Sequence, residues 1–175
     1  MLLIGFAPWP MSWYSHLPRQ YARAALDVCR YMEEGLGDAA RPRPGFGGGA
    51  PPVRSGMRRS TYRALADLRA EFQRTMSEPP SISRRATAWW PAVIALEQVM
   101  DAITAAVLAV SRGARVPPSG VRQLCEALRE VGEAAATGSA LATVPELPGG
   151  EVLRPFTEAI RALLGVVGTG EPLTA

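Results

Sequence analysis

Apolar residues in this chain recur at the three-to-four-residue spacing of helices, and that spacing predicts five of them. The first stripe is Leu17, Tyr21, Ala24, Val28, Met32 and Leu36, with Arg19, Arg23, Asp27, Arg30 and Glu33 mostly off it. Pro18 suits a first turn, Ser15 an N-cap, and Gly35 and Gly37 a C-terminal stop. A second helix is expected over Met57–Glu78. Thr61, Leu65, Leu68, Phe72 and Met76 lie on one face, five arginines on the rest, and Pro79-Pro80 ends it. The third prediction is one long helix from about Ile82 to Arg112, capped by Ser81 or Ser83. The fourth runs over Ser119–Ala136 on Val121, Leu124, Leu128, Val131 and Ala135. The fifth, over Glu151–Val167, runs on Leu153, Phe156, Ile160, Leu163 and Leu164. No segment alternates as a strand. The expected fold is all-α, about five helices in a mostly antiparallel bundle.

The gaps complete the organisation. Residues 1–14 read as an N-terminal arm or membrane-exit stub, 15–168 as the bundle domain and 169–175 as a tail. Residues 38–56 have no periodicity and much Pro and Gly, the composition of a long linker loop. Residues 137–150 are a second polar loop.

The third helix is the unusual one. Between Ala86 and Val110 only Thr87, Pro91, Glu97, Gln98, Asp101 and Thr104 interrupt apolar residues. A helix apolar nearly all round is either the centre of a bundle or a membrane span. Two carboxylates near a bilayer centre would cost roughly 2.5–3.5 kcal/mol each. Glu97 and Asp101, four residues apart, share one face that can point at water. The helix is therefore expected at the centre of the bundle, with Trp89, Trp90, Leu96, Met100, Ile103 and Val107 in its core. Pro91 predicts a bend or a delayed first turn.

Composition supports helices and adds no chemistry. Ala and Leu dominate, and aromatics are 7%. All 19 basic residues are Arg, which together with the Ala, Gly and Pro content reads as GC-rich codon usage. Cys29 and Cys125 sit in separate helices with no Cys or His near them in sequence, so both read as small buried apolar residues rather than a disulfide or zinc site. His16 stands alone at a helix entrance. The run Gly45-Phe46-Gly47-Gly48-Gly49 lacks the strand before it and the Lys after it that a phosphate loop needs. Glu97 and Asp101 read as a solvated stripe or as partners for arginines of the second helix, since carboxylate metal bundles bring Glu-x-x-His motifs from several helices. The expectation is no enzyme, no catalytic residues, no metal and no cofactor.

Charge is distributed unevenly. Residues 41–85 hold ten Arg against three acids, a local +7, and residues 118–175 hold four Arg against seven acids, a local −3. Arg54, Arg58, Arg59 and Arg63 either keep an exposed face solvated and pair with acidic helices, or lie near the anionic cytoplasmic leaflet. Base-reading groups are missing, so no nucleic-acid partner is expected. At the other end Trp9, Trp13 and Tyr14 flank Pro8 and Pro10 just after apolar Leu2–Phe6, an order that fits a chain leaving a bilayer. Trp9, Trp13, Arg58, Arg59 and Arg63 are the candidate membrane- or partner-proximal residues.

This order of parts resembles the C-terminal cytoplasmic region of the FUSC family, bacterial inner-membrane transporters of the fusaric-acid-resistance and aromatic-acid-exporter type. The stretch Ile4–Pro10 (IGFAPWP) looks like the exit of a last membrane helix. Leu17–Met32 is similar to the helix that follows it. Arg58–Pro79 (RRSTYRALADLRAEFQRTMSEP) resembles the family's Arg-rich segment closing on Glu-Pro, and Trp89–Val110 its apolar helix. The resemblance covers Ile4 to about Val167, and the membrane helices that would carry substrate are absent from it. It implies efflux of aromatic or amphiphilic small molecules by the whole transporter. This part would be a scaffolding or coupling domain on the cytoplasmic side of the cell membrane. Its partners would be the membrane domain of the same transporter or neighbouring subunits, and an anionic membrane surface. The alternative is a stand-alone cytosolic bundle that binds a protein partner or an apolar ligand.

Overall fold

The computed structural model describes residues 16–37, 52–139, 141 and 147–168, and they are all-helical with no strand. The helices are α1 (His16–Gly37), α2 (Pro52–Met76), α3 (Pro80–Thr87), α4 (Trp90–Ser111), α5 (Pro118–Thr137) and α6 (Arg154–Gly168). The predicted loops at 38–51, 140 and 142–146, the N-cap Ser15, the arm 1–14 and the tail 169–175 lie outside the described residues.

The predicted stripes are the buried faces. All six positions of the α1 stripe are buried, as are Thr61, Leu65, Leu68 and Phe72 of α2 and the whole stripe of α5. Leu153, in the turn before α6, is buried with Phe156, Ile160, Leu163 and Leu164. Met76 is the exception, 39% exposed at the end of α2.

Three expectations change. The long third helix is two, α3 and α4, with the break at Ala88–Trp89. Pro91 has no N–H to return to the Thr87 carbonyl. The chain tightens there, with the Trp89 amide on Ala86 O at 2.9 Å, and the regular pattern resumes when the Val93 amide donates to Trp89 O at 3.0 Å. Second, α2 begins at Pro52, so 52–56 belong to a helix rather than to the expected linker. Pro in a first turn loses no bond, because that N–H is unpaired anyway.

The third change concerns the centre of the bundle. α1, not α4, is the hub, packed against α5, α2 and α4, while α4 lies mainly on α6. α1 buries two flanks, because Ala25, Cys29 and Tyr31 are buried as well as the predicted stripe. Small residues allow this. A Cβ on Gly132 of α5 would stand 3.5 Å from Ala25 Cβ and 3.7 Å from the Ala22 carbonyl, so the α1 and α5 backbones approach closely. By contrast, only 44% of the most apolar stretch of Pro80–Ser111 is buried. That stretch is long and apolar enough to cross a membrane by length and composition, a test that core helices of soluble proteins also pass.

Candidate functional site

Two places stand out from the rest of the surface and core. The first is where α2 meets α4. Arg58, Arg59 and Arg63 are all exposed, and none reaches an acid among the described residues. The Arg58 guanidinium lies over the Tyr62 ring at 5.6 Å from its centroid, a cation–π contact. Tyr62 is itself exposed, and its hydroxyl shares a 3.5 Å hydrogen bond with Thr104 Oγ1 of α4. One turn further along α4 than Thr104 stands Leu108, 49% exposed. A basic helix end and an uncovered apolar helix end are thus joined through one tyrosine.

The lower part of the same junction is internally satisfied. Arg69 donates to Glu97 at 3.3 Å and stacks over Trp90 at 5.7 Å, and Trp90 meets Phe72 at 5.0 Å. Glu97 is therefore a partner for an α2 arginine, one of the two roles expected of it. Asp101 is exposed beside a shallow groove between α4 and α6 lined by Gln98, Ala102, Pro155 and Glu158. Of the expected α4 core, Trp89, Leu96, Met100 and Ile103 are buried. Val107 is half-buried and Trp90 is 38% exposed, because α4 sits at the flank of the bundle and not at its centre.

The second place escaped the sequence. Cys29 and Cys125 are 96 residues apart yet meet across the α1–α5 seam. Cys29 Sγ is 3.7 Å from the Cys125 carbonyl, and Cys125 Sγ is 3.9 Å from the Cys29 carbonyl. Both are free thiols and buried. The reading of two isolated cysteines is thereby corrected, because sequence spacing within a helix says nothing about contacts between helices. One turn along α1, Glu33 caps the pair and forms an ion pair with Arg129 of α5. Glu133 stands four residues on from Arg129 in the same helix, within reach of an i, i+4 pair, yet Arg129 pairs across the seam. Sharing a hydrogen bond with Cys125 holds the Cys29 thiol below the ordinary range against burial, with help from the Arg129 charge. That hydrogen bond and burial both push Cys125 up.

His16 is exposed at the first residue of α1. Trp9, Trp13, the glycine run 45–49 and the side chain of Arg54 lie outside the described residues. No family model, no curated protein and no solved structure matches this chain.

Proposed function

We propose that this chain is the cytoplasmic helical domain of a FUSC-like inner-membrane efflux transporter for aromatic or amphiphilic molecules, a scaffold or coupling element that makes and breaks no bonds. The resemblance in segment order supports the family. The observation that carries the docking mode is the junction, through Tyr62, of exposed Leu108 with Arg58, Arg59 and Arg63, none of which has an acid partner among the described residues. Cations beside an apolar strip suit the cytoplasmic face of a membrane domain, where anionic headgroups and apolar helix ends are adjacent. Each arginine near such a surface contributes about 1 kcal/mol. Three together amount to about a hundredfold in partitioning, at roughly tenfold per 1.4 kcal/mol.

Fractionation of cells expressing the chain tests this. The wild-type chain is expected in the membrane pellet. A variant carrying Arg58→Gln, Arg59→Gln, Arg63→Gln and Leu108→Ser is expected in the supernatant, with an unchanged melting temperature because these side chains are exposed. Wild-type chain found only in the supernatant overturns the proposal in favour of a stand-alone bundle, for which the α4–α6 groove offers an apolar floor of Ala102, Ala105 and Ala159.

A further inference from the structure

The sulfur atoms of Cys29 and Cys125 and a carboxylate oxygen of Glu33 all lie within 4.8 Å of one another. Zinc binds thiolate sulfur at about 2.3 Å and carboxylate oxygen at about 2.0–2.2 Å in tetrahedral geometry, which spaces the ligand atoms at roughly 3.5–3.8 Å. The remaining distance is at most about an ångström, within the reach of side-chain rotation. We propose that Cys29, Cys125 and Glu33 form a binding site for one thiophilic divalent cation of the zinc class, set into the α1–α5 seam.

The arrangement of the helices explains why these three converge. Cys29 and Glu33 are four residues apart on α1 and so share a face. The close approach of the two backbones at Gly132 and Ala25 brings Cys125 of α5 onto that face. Neither thiol has a strong partner to lose, because each contacts the other thiol and, at 3.7 and 3.9 Å, the other's carbonyl, and a thiol is a weak donor.

Charge fits as well. Two thiolates and a carboxylate carry −3, a divalent cation brings this to −1, and the Arg129 guanidinium beside Glu33 balances the rest. Binding the cation displaces both thiol protons to solvent, so affinity falls as pH falls. Glu33 must then turn from Arg129 toward the metal or share its two oxygens between them. Its side chain is about half exposed, at 45%, so the cation enters from solvent and keeps a water as fourth ligand. Three protein ligands and one open position make an exchangeable site rather than a closed structural one. Bound metal would tie α1 to α5 and stiffen the hub of the bundle.

The test uses the full chain, reduced and kept free of oxygen, titrated with Co²⁺ and then with Zn²⁺. One equivalent of Co²⁺ should produce thiolate-to-cobalt charge-transfer absorption in the near ultraviolet, Zn²⁺ should abolish it, and Zn²⁺ should raise the melting temperature. Cys29→Ser and Cys125→Ser should each remove the charge-transfer band. Glu33→Gln, at an exposed position and so without risk to folding, should weaken binding at least tenfold. Helicity by circular dichroism identifies any cysteine variant that has failed to fold, and Glu33→Gln then decides alone. The proposal is overturned by a wild-type chain that shows no charge-transfer band, or by binding that survives all three substitutions. It is equally overturned by thiols that lose two hydrogens in air, by mass, while taking up no metal. That last result identifies a disulfide-forming pair instead.

Discussion

Tyr21 offers the sharpest test of the packing at the hub. Its side chain is completely buried, and its hydroxyl has no hydrogen-bond partner among the described residues. The ring meets Trp89 edge-on, with centroids 5.5 Å apart and planes at 61°, and the Trp89 indole N–H is likewise without a partner among them. An unpaired buried hydroxyl costs about 1–3 kcal/mol in lost hydration. Tyr21→Phe removes that cost, keeps the edge-on contact and gives up only the dispersion contacts of one oxygen. The expected change at neutral pH is a stabilisation of about 1 kcal/mol, or about 2–4 °C in melting temperature for a chain of this size.

The pH dependence gives an independent handle on the same group. Burial pushes the Tyr21 phenol well above its ordinary pKa of about 10. A raised folded-state pKa means that the unfolded chain loses this proton first, so stability is intact below pH 10 and falls as pH rises above it. One unit above that value the loss is about 1.4 kcal/mol. Tyr21→Phe lacks this loss, so its advantage over wild type should grow to about 2–3 kcal/mol at pH 11. Urea melts of both proteins at pH 8 and pH 11 measure it. A variant less stable than wild type by 1 kcal/mol at pH 8 would refute the reasoning, because the hydroxyl must then be hydrogen-bonded. Two stability curves falling in parallel above pH 10 would refute it as well.

Four further substitutions concern the core. Gly132→Ala meets only ordinary contacts at 3.5–3.8 Å and should stabilise by about 0.5–1 kcal/mol through helix propensity. Gly35→Ala places its methyl 2.9 Å from Val107 Cγ2, on a β-branched side chain that cannot turn away, and should destabilise by about 1 kcal/mol. Thermal melts giving the same sign for both would show that the distances at the α1–α5 and α1–α4 contacts are wrong. Leu96 is fully buried. Leu96→Ala should cost about 2–5 kcal/mol, and Leu96→Asp should abolish the cooperative transition by burying an unpaired charge. An unchanged melting curve for the Asp variant would remove α4 from the core.

The helices and their inward faces were legible in the sequence because helical periodicity is a local property. Leu17 through Leu36, Leu65 through Phe72, Val121 through Ala135 and Phe156 through Leu164 each announce a buried face without reference to any neighbour. Pro91 announced an irregularity near the helix start for the same reason, since a missing N–H is written in a single residue. It predicts a bend or a delayed first turn there, whereas the structure breaks the helix in two. The water-facing side expected of α4 was legible at Asp101, which is exposed, while Glu97 is half-buried against Arg69 of α2, a pairing that only the packing of two helices fixes.

Which helix stands at the centre was not legible. Hydrophobicity marks α4, but centrality depends on how closely backbones can approach. That is set by small residues such as Ala22, Ala25 and Gly132 on two helices at once. α1 takes the middle because it can be covered on two flanks, and α4, though oilier, is left partly bare. The same fact decided the chemistry of Cys29 and Cys125. Each is one unremarkable residue in an amphipathic helix, and only the antiparallel packing of α1 on α5 turns them, with Glu33 and Arg129, into a cluster of two thiols, a carboxylate and a cation. The sequence by itself determined which faces are buried, and the tertiary structure alone decided which buried faces meet. Burial is a property of one helix's own pattern, whereas meeting depends on the shape of two.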